Sequence, residues 1–171
     1  MIRKIKPNIL QFYFENFGSC VYLLKINSKE ILIDTSSREA REEFLEDLKK
    51  TNLQPEDINM ILITHQHWDH NGNIDLFKNA KIYDYKNLIK NKINPEQTQG
   101  ILFIEIKVIH VPGHTDDSIA FLYRDVLFSG DTLFHNGIGR TDLPESQPEK
   151  MHESLIKLKN LNYKILCPGH V

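Results

Sequence analysis

Between residues 8 and 34 the apolar positions come in three short bursts, NILQFYF, SCVYLLKI and EILID, punctuated by Gly18 and by the polar pair Asn27-Ser28. Bursts of this length separated by turn residues predict three β-strands in an antiparallel meander. The following REAREEFLEDLKKTN sets Phe44, Leu45 and Leu48 along one stripe of a helix, and Ser36 with Glu39 three residues on predicts a capping box at its start. Residues 59–64, NMILIT, form a continuous apolar run, which suits a strand covered on both faces and delivers the chain directly to His65.

Beyond that run the pattern predicts a short helix over residues 73–77, a strand over 80–83, and a helix over 84–92 that leads to a polar loop around Pro95. Residues 101–111 alternate like a strand, with Ile104, Ile106 and Val108 on one side, and stop at Pro112-Gly113. SIAFLYRDVLF, residues 118–128, predicts a hairpin turning near Arg124-Asp125, closed by Ser129-Gly130-Asp131. Ser146, Pro148 and Glu149 mark the start of a helix in PEKMHESLIKLKNL, and YKILC is the last strand before Pro168-Gly169-His170-Val171. Strands first, then strands and helices alternating, then strands again predict a mixed α+β sandwich with helices on its outer faces, not a doubly wound parallel sheet.

Composition narrows the functional classes. A chain of 171 residues fits one domain, here 1–171, and is long enough to bury a core without staples. A net charge of −2 gives no electrostatic reason to expect a nucleic-acid or anionic-membrane partner. The N-terminal stretch is broken at Gln11 and Glu15 and shows no small-residue cleavage site. Apolar runs such as Val21 to Leu24 fall far short of the ~20 residues a membrane-spanning helix needs, so a soluble, cytoplasmic protein is expected. Cys20 and Cys167 stand far apart without CxxC spacing, which predicts core residues and not a disulfide or a thiolate zinc site. Of the eight histidines, His65, His67, His70 and His114 cluster around loop signals, and that points to metal.

Thr64-His65-Gln66-His67-Trp68-Asp69-His70 follows the buried-looking strand. Alternate residues of an extended segment share a side, so His65 and His67 can converge on one ion while the chain turns to aim Asp69 and His70 at a second point. Imidazole and carboxylate are ligands suited to zinc or iron, and three histidines with an aspartate in six residues are too dense for core packing.

HxHxDH after an apolar strand, Pro112-Gly113-His114-Thr115, Ser129-Gly130-Asp131-Thr132 and Pro168-Gly169-His170 occur in the order found in the metallo-β-lactamase superfamily, which the chain resembles over nearly its whole length. Within it, the stretch from Phe128 through GDTLFHNGIGRTDL to Pro144 is most similar to glyoxalase II (hydroxyacylglutathione hydrolase) and its small prokaryotic relatives. The resemblance implies an αββα four-layer sandwich, C-terminally minimal because the helical region of full glyoxalase II is missing after Val171. It implies that His65, His67 and His114 bind one divalent ion, that Asp69, His70 and His170 bind a second, and that Asp131 bridges them. Zinc is the expected metal, with iron or manganese as alternatives; Asp69 and Asp131 are the catalytic candidates among these ligands.

The implied activity is hydrolysis of a small thioester or ester by a hydroxide shared between the ions, since even one bound Zn²⁺ lowers the pKa of water from about 15.7 to about 7. Alternatives on the same fold are a lactonase and a mononuclear iron persulfide dioxygenase using His65, His114 and Asp131. A metal-binding domain without its own catalysis, completed by another subunit, is a further class, and a homo-oligomer remains open.

Asp34 is either a carboxylate that orients one histidine from behind or the turn residue that starts the Thr35-Ser36 loop. Trp68 either walls the pocket or packs. Arg140 and Asp142 are either a buried loop-holding ion pair or a substrate contact. His110, His135 and His152 are expected to be ordinary, and the lysine-rich 86–92 stretch a solvated face.

Overall fold

A computed structural model of the chain describes residues 1–15, 17–90 and 105–171, which form two compact units, Met1–Tyr83 and Asp84–Val171. The first unit is built on a six-stranded sheet in chain order: β1 (Ile2–Lys6), β2 (Ile9–Phe12), β3 (Val21–Ile26), β4 (Lys29–Ile33), β5 (Ile58–Leu62) and β6 (Lys81–Tyr83). Strands β2, β3 and β4 are the antiparallel meander predicted, β1 adds a further antiparallel strand to it, and β5 is parallel to both β4 and β6. Asn27 and Ser28 both take positive φ, 51° and 60°, at the tight β3–β4 turn, a geometry whose twist matches that of the strands it joins.

The sheet's one long partner in this unit is helix α1 (Arg41–Lys50), whose Phe44 and Leu48 enter a buried cluster with Phe12, Leu32, Ile61 and Phe77. Each large side chain so buried contributes roughly 1.5–3 kcal/mol. The predicted capping box does not form. Ser36 is buried with φ +59°, and its carbonyl accepts the N–H of Gly72, so the chain is still turning there. The Ala40 N–H is taken by the Ser37 hydroxyl at 3.3 Å instead. Met60, Ile61 and Leu62 of β5 are all buried, as the uninterrupted apolar run predicts. A short helix, α2 (Trp68–Asn71), and a 3₁₀ turn (Ile74–Leu76) separate β5 from β6.

The second unit opens with a π-helical turn (Lys86–Lys90) in which Lys86 is exposed and Leu88 is buried. The predicted helix end at 91–92, the loop around Pro95 and the start of the 101–111 strand lie outside the described residues. A four-stranded sheet follows in the order β12 (Ile165–Pro168), β9 (Val126–Gly130), β8 (Ile119–Tyr123), β7 (Ile106–His110). The β8–β9 hairpin turns at Arg124-Asp125, with Arg124 at φ +55°. A small hairpin, β10 (Leu133–Phe134) and β11 (Gly137–Ile138), precedes helix α3 (Pro148–Lys159), which has proline in its first turn and buries Leu158 against Ile109, Val111, Ala120 and Leu127. Both cysteines are buried and unbridged. Among the described residues no helix is long and apolar enough to cross a membrane.

Candidate metal centre

In the first unit strand β5, between β4 and β6, ends at Leu62, and the chain bends at Thr64 and reaches His67 before α2 begins. This places His65, His67 and His70 together. Nε2 of His65 lies 3.0 Å from Nδ1 of His67, and the His65 and His70 ring centroids are 4.1 Å apart. Two nitrogens bound to one tetrahedral zinc at ~2.0–2.1 Å stand about 3.3 Å apart, so the His65–His67 spacing fits a shared ion. Asp69 follows on α2, buried, with its carbonyl accepting the Ser19 N–H at 3.1 Å.

Asp34 organises the His65 and His70 rings from behind. Its Oδ1 accepts the Thr64 N–H at 2.8 Å, and its Oδ2 accepts both the Thr64 hydroxyl at 2.8 Å and Nδ1–H of His70 at 2.8 Å. Thr64 has only one hydroxyl proton and gives it to Asp34, so its oxygen accepts from Nδ1 of His65, 3.1 Å away. Both histidines are therefore protonated at Nδ1 and present a lone pair at Nε2, the tautomer a metal ligand requires. Asp34 is also the turn residue, at φ +59°, so the two readings open in the sequence describe one residue. The loop it starts is fixed to α2: Thr35 N–H donates to the His70 carbonyl at 2.7 Å, and the Asn73 side chain donates to the carbonyls of Thr35 and Ser37.

The second unit assembles the other three ligand candidates. Oδ2 of Asp131, just past β9, lies 3.7 Å from Nε2 of His114 and 3.4 Å from Nε2 of His170. One carboxylate oxygen thus stands near two imidazoles. The parallel pairing of β12 with β9 brings the terminal segment into place, and the Gly169 N–H donates to the Gly130 carbonyl at 2.8 Å. His170, though penultimate and with a side chain 34% exposed, is thus braced on both sides, with Phe134 edge-on to its ring.

His114 is oriented by a group that sequence reasoning overlooks. Its Nδ1 donates to the backbone carbonyl of Arg140 at 2.8 Å, leaving Nε2 toward Asp131. Ser146, read from sequence as a helix-start residue, donates its hydroxyl to the His114 carbonyl instead. Gly139 lets the backbone pass beneath this pair, because a Cβ there would sit 1.8 Å from the Asp131 carbonyl oxygen and 3.1 Å from Cγ of His114. The Arg140–Asp142 pair is bidentate, at 2.9 and 3.0 Å, but the side chains are 68% and 70% exposed, so it is not the buried ion pair the sequence suggested. Their mutual hydrogen bond raises the arginine pKa and lowers that of the carboxyl.

His110 contacts the Asp116 carbonyl and the Tyr85 ring, and His135 and His152 are exposed. The donor set is nitrogen and oxygen throughout, with His65, His70 and His114 held on their far edges, and this fits divalent zinc, iron or manganese.

A family model described as the metallo-beta-lactamase superfamily matches residues 15–86 and 83–170. A hydroxyacylglutathione hydrolase of Francisella tularensis subsp. holarctica is 34% identical over 160 residues, covering 87% of this chain, which spans only 61% of that relative's length. A probable metallo-hydrolase of Methanocaldococcus jannaschii is 34% identical over 143 residues, covering 82% of this chain and 70% of its own. Among solved structures, the di-iron-bound form of TTHA1623 has a TM-score of 0.72 at 24% identity, over 94% of this chain and 92% of that one.

Proposed function

The chain belongs to the metallo-beta-lactamase superfamily and has its mixed α+β fold, and on that premise we propose that it is a metal-dependent hydrolase of small thioesters or esters, glyoxalase II-like in its chemistry. The observation that carries the reading is the pair of prearranged ligand groups: His65 and His70 held by Asp34 and Thr64, with His67 beside His65, in one unit, and Asp131 between His114 and His170 in the other. In this proposal residues 1–171 work as one domain. His65, His67 and His114 hold one ion, Asp69, His70 and His170 a second, and Asp131 contributes to both.

Two bound divalent ions would supply an activated water at neutral pH and a Lewis acid for the substrate carbonyl. The protein's own part is positional. Asp34 and Thr64 keep His65 and His70 in the lone-pair-outward tautomer, the Arg140 carbonyl does the same for His114, and the β12–β9 pairing holds His170. A thioester releases its sulfur as thiolate, so no acid beside the leaving group is required. The same hydroxide could attack an ester or a lactone, whose departing alkoxide then takes a proton from water.

The test is hydrolysis of S-lactoylglutathione and of simple thioesters, esters and lactones by protein loaded with zinc. Iron is the second metal to load, given the di-iron-bound form of TTHA1623. Metal-dependent turnover of at least one of these substrates, abolished by chelation, is expected. Turnover of none overturns the hydrolase reading, and oxygen uptake on an added persulfide with one iron per chain replaces it with persulfide oxidation at His65, His114 and Asp131.

A further inference from the structure

Large apolar side chains are exposed singly on most proteins, and that needs no explanation; neighbouring ones held face to face do. Phe17 and Trp68 are 65% and 55% exposed, yet their rings stack with centroids 5.4 Å apart and planes within 20°. Among the described residues the other large apolar side chains that are exposed are aliphatic. Neither ring belongs to the buried cluster of Phe12, Phe44 and Phe77 in the same unit.

The stack is braced from below. The Phe17 carbonyl accepts the Ser37 hydroxyl, and Ser19 N–H donates to the Asp69 carbonyl at 3.1 Å, so the loop carrying Phe17 is tied both to the 34–37 turn and to α2. Gly18 permits this seating, since a Cβ there would meet the Ser36 hydroxyl at 2.2 Å. Trp68 is the first residue of α2 and sits in sequence between the ligand candidates His67 and Asp69. The aromatic pair thus adjoins, along the chain and through the Ser19–Asp69 hydrogen bond, residues proposed to hold metal.

We propose that the Phe17–Trp68 stack is a substrate platform that selects thioesters or esters carrying an aromatic or other flat apolar group next to the scissile carbonyl. The proposal rests on the hydrolase reading above and gives it a substrate class. The size of the patch fits a small group and not a second protein. Even if wholly covered, two aromatic side chains bury at most about 500 Å², short of the ~800 Å² per partner of a stable interface. Stacking on such a pair changes affinity by roughly three- to ten-fold.

Trp68 is the chain's single tryptophan, so its emission reports on the platform without any turnover. The wild type and Phe17→Ala would be titrated with a non-hydrolysable thioether, N-acetyl-S-benzylcysteamine, and with its S-methyl counterpart. Saturable change with the benzyl compound only, weakened about three- to ten-fold in Phe17→Ala, is expected. In parallel, S-phenyl thioacetate, S-methyl thiobenzoate and S-methyl thioacetate would be assayed with the wild type, Phe17→Ala, Trp68→Ala and Trp68→Phe. The alanine variants should lose about three- to ten-fold in kcat/KM, through KM, on at least one aromatic substrate and not on S-methyl thioacetate, and Trp68→Phe should restore most of it.

Equal loss on all three substrates, or a silent titration alongside normal turnover, overturns the platform. A change of oligomeric state in the alanine variants with benzyl binding unchanged also overturns it and assigns the rings to a contact between chains. Selective benzyl binding without hydrolysis of any thioester leaves the platform standing and removes the hydrolase reading.

Discussion

Nδ1 of His70 stands 2.8 Å from Oδ2 of Asp34, and both side chains are buried. The same carboxylate takes the hydroxyl and the backbone N–H of Thr64, so one residue fixes the tautomers of two histidines. Asp34→Asn retains the size and tolerates the positive φ, but its amide cannot accept all three hydrogen bonds. It is expected to weaken metal affinity by about 10–100-fold with little change in secondary structure. Competition titration with a chromophoric chelator checks this, and wild-type affinity would show that Asp34 serves only the turn.

Gly139 tests the second unit in the same way. Its added Cβ would collide with backbone, the carbonyl oxygen of Asp131, which has no flexible end to move aside. Gly139→Ala should cost roughly 1–3 kcal/mol of stability and displace Asp131 and His114 enough to weaken metal binding about ten-fold or more. Thermal unfolding of the metal-free protein separates the first effect from the second. An unchanged midpoint and unchanged affinity would contradict the close approach.

Away from the site, buried Asp47 on α1 binds the Met1 ammonium at 2.5 Å and Lys50 at 2.7 Å. Burial pushes its carboxyl up, but the hydrogen bonds and charges of Lys50 and the Met1 ammonium outweigh this and hold it below the usual value. A carboxyl lowered on folding contributes stability that is fully present above the unfolded pKa of about 3.9 and is lost as the pH falls through the folded value. The wild type should therefore lose thermal stability below about pH 4 more steeply than Asp47→Asn, which starts lower at pH 7. Parallel pH profiles of the two midpoints would remove Asp47 from the account.

Much of this architecture is legible in the sequence because its signals are periodic or dense. The continuous run of β5, the hairpin at Arg124-Asp125 and the proline that opens α3 are all predicted by residue types and spacing, and the structure has those elements where expected. Strand β1 was not, because its half-buried Ile2 and Ile5 are separated by exposed Arg3 and Lys4 and so lack a period of two. The groups that orient the ligands were harder still. The Arg140 carbonyl is backbone, which carries no residue signature, and the space Gly139 preserves exists only once Asp131 lies over it. Ser36 and Ser37 are alike in sequence, and only the left-handed turn at Ser36 decides that Ser37 meets the Ala40 N–H.

The central claim, that these residues hold a two-ion centre, is tested most directly by elemental analysis of the purified protein after saturation with zinc and removal of loosely bound metal. Two ions per chain are predicted for the wild type, falling to one or fewer in Asp131→Ala. A wild-type content of one ion or none, or two ions that persist without Asp131, would contradict the claim.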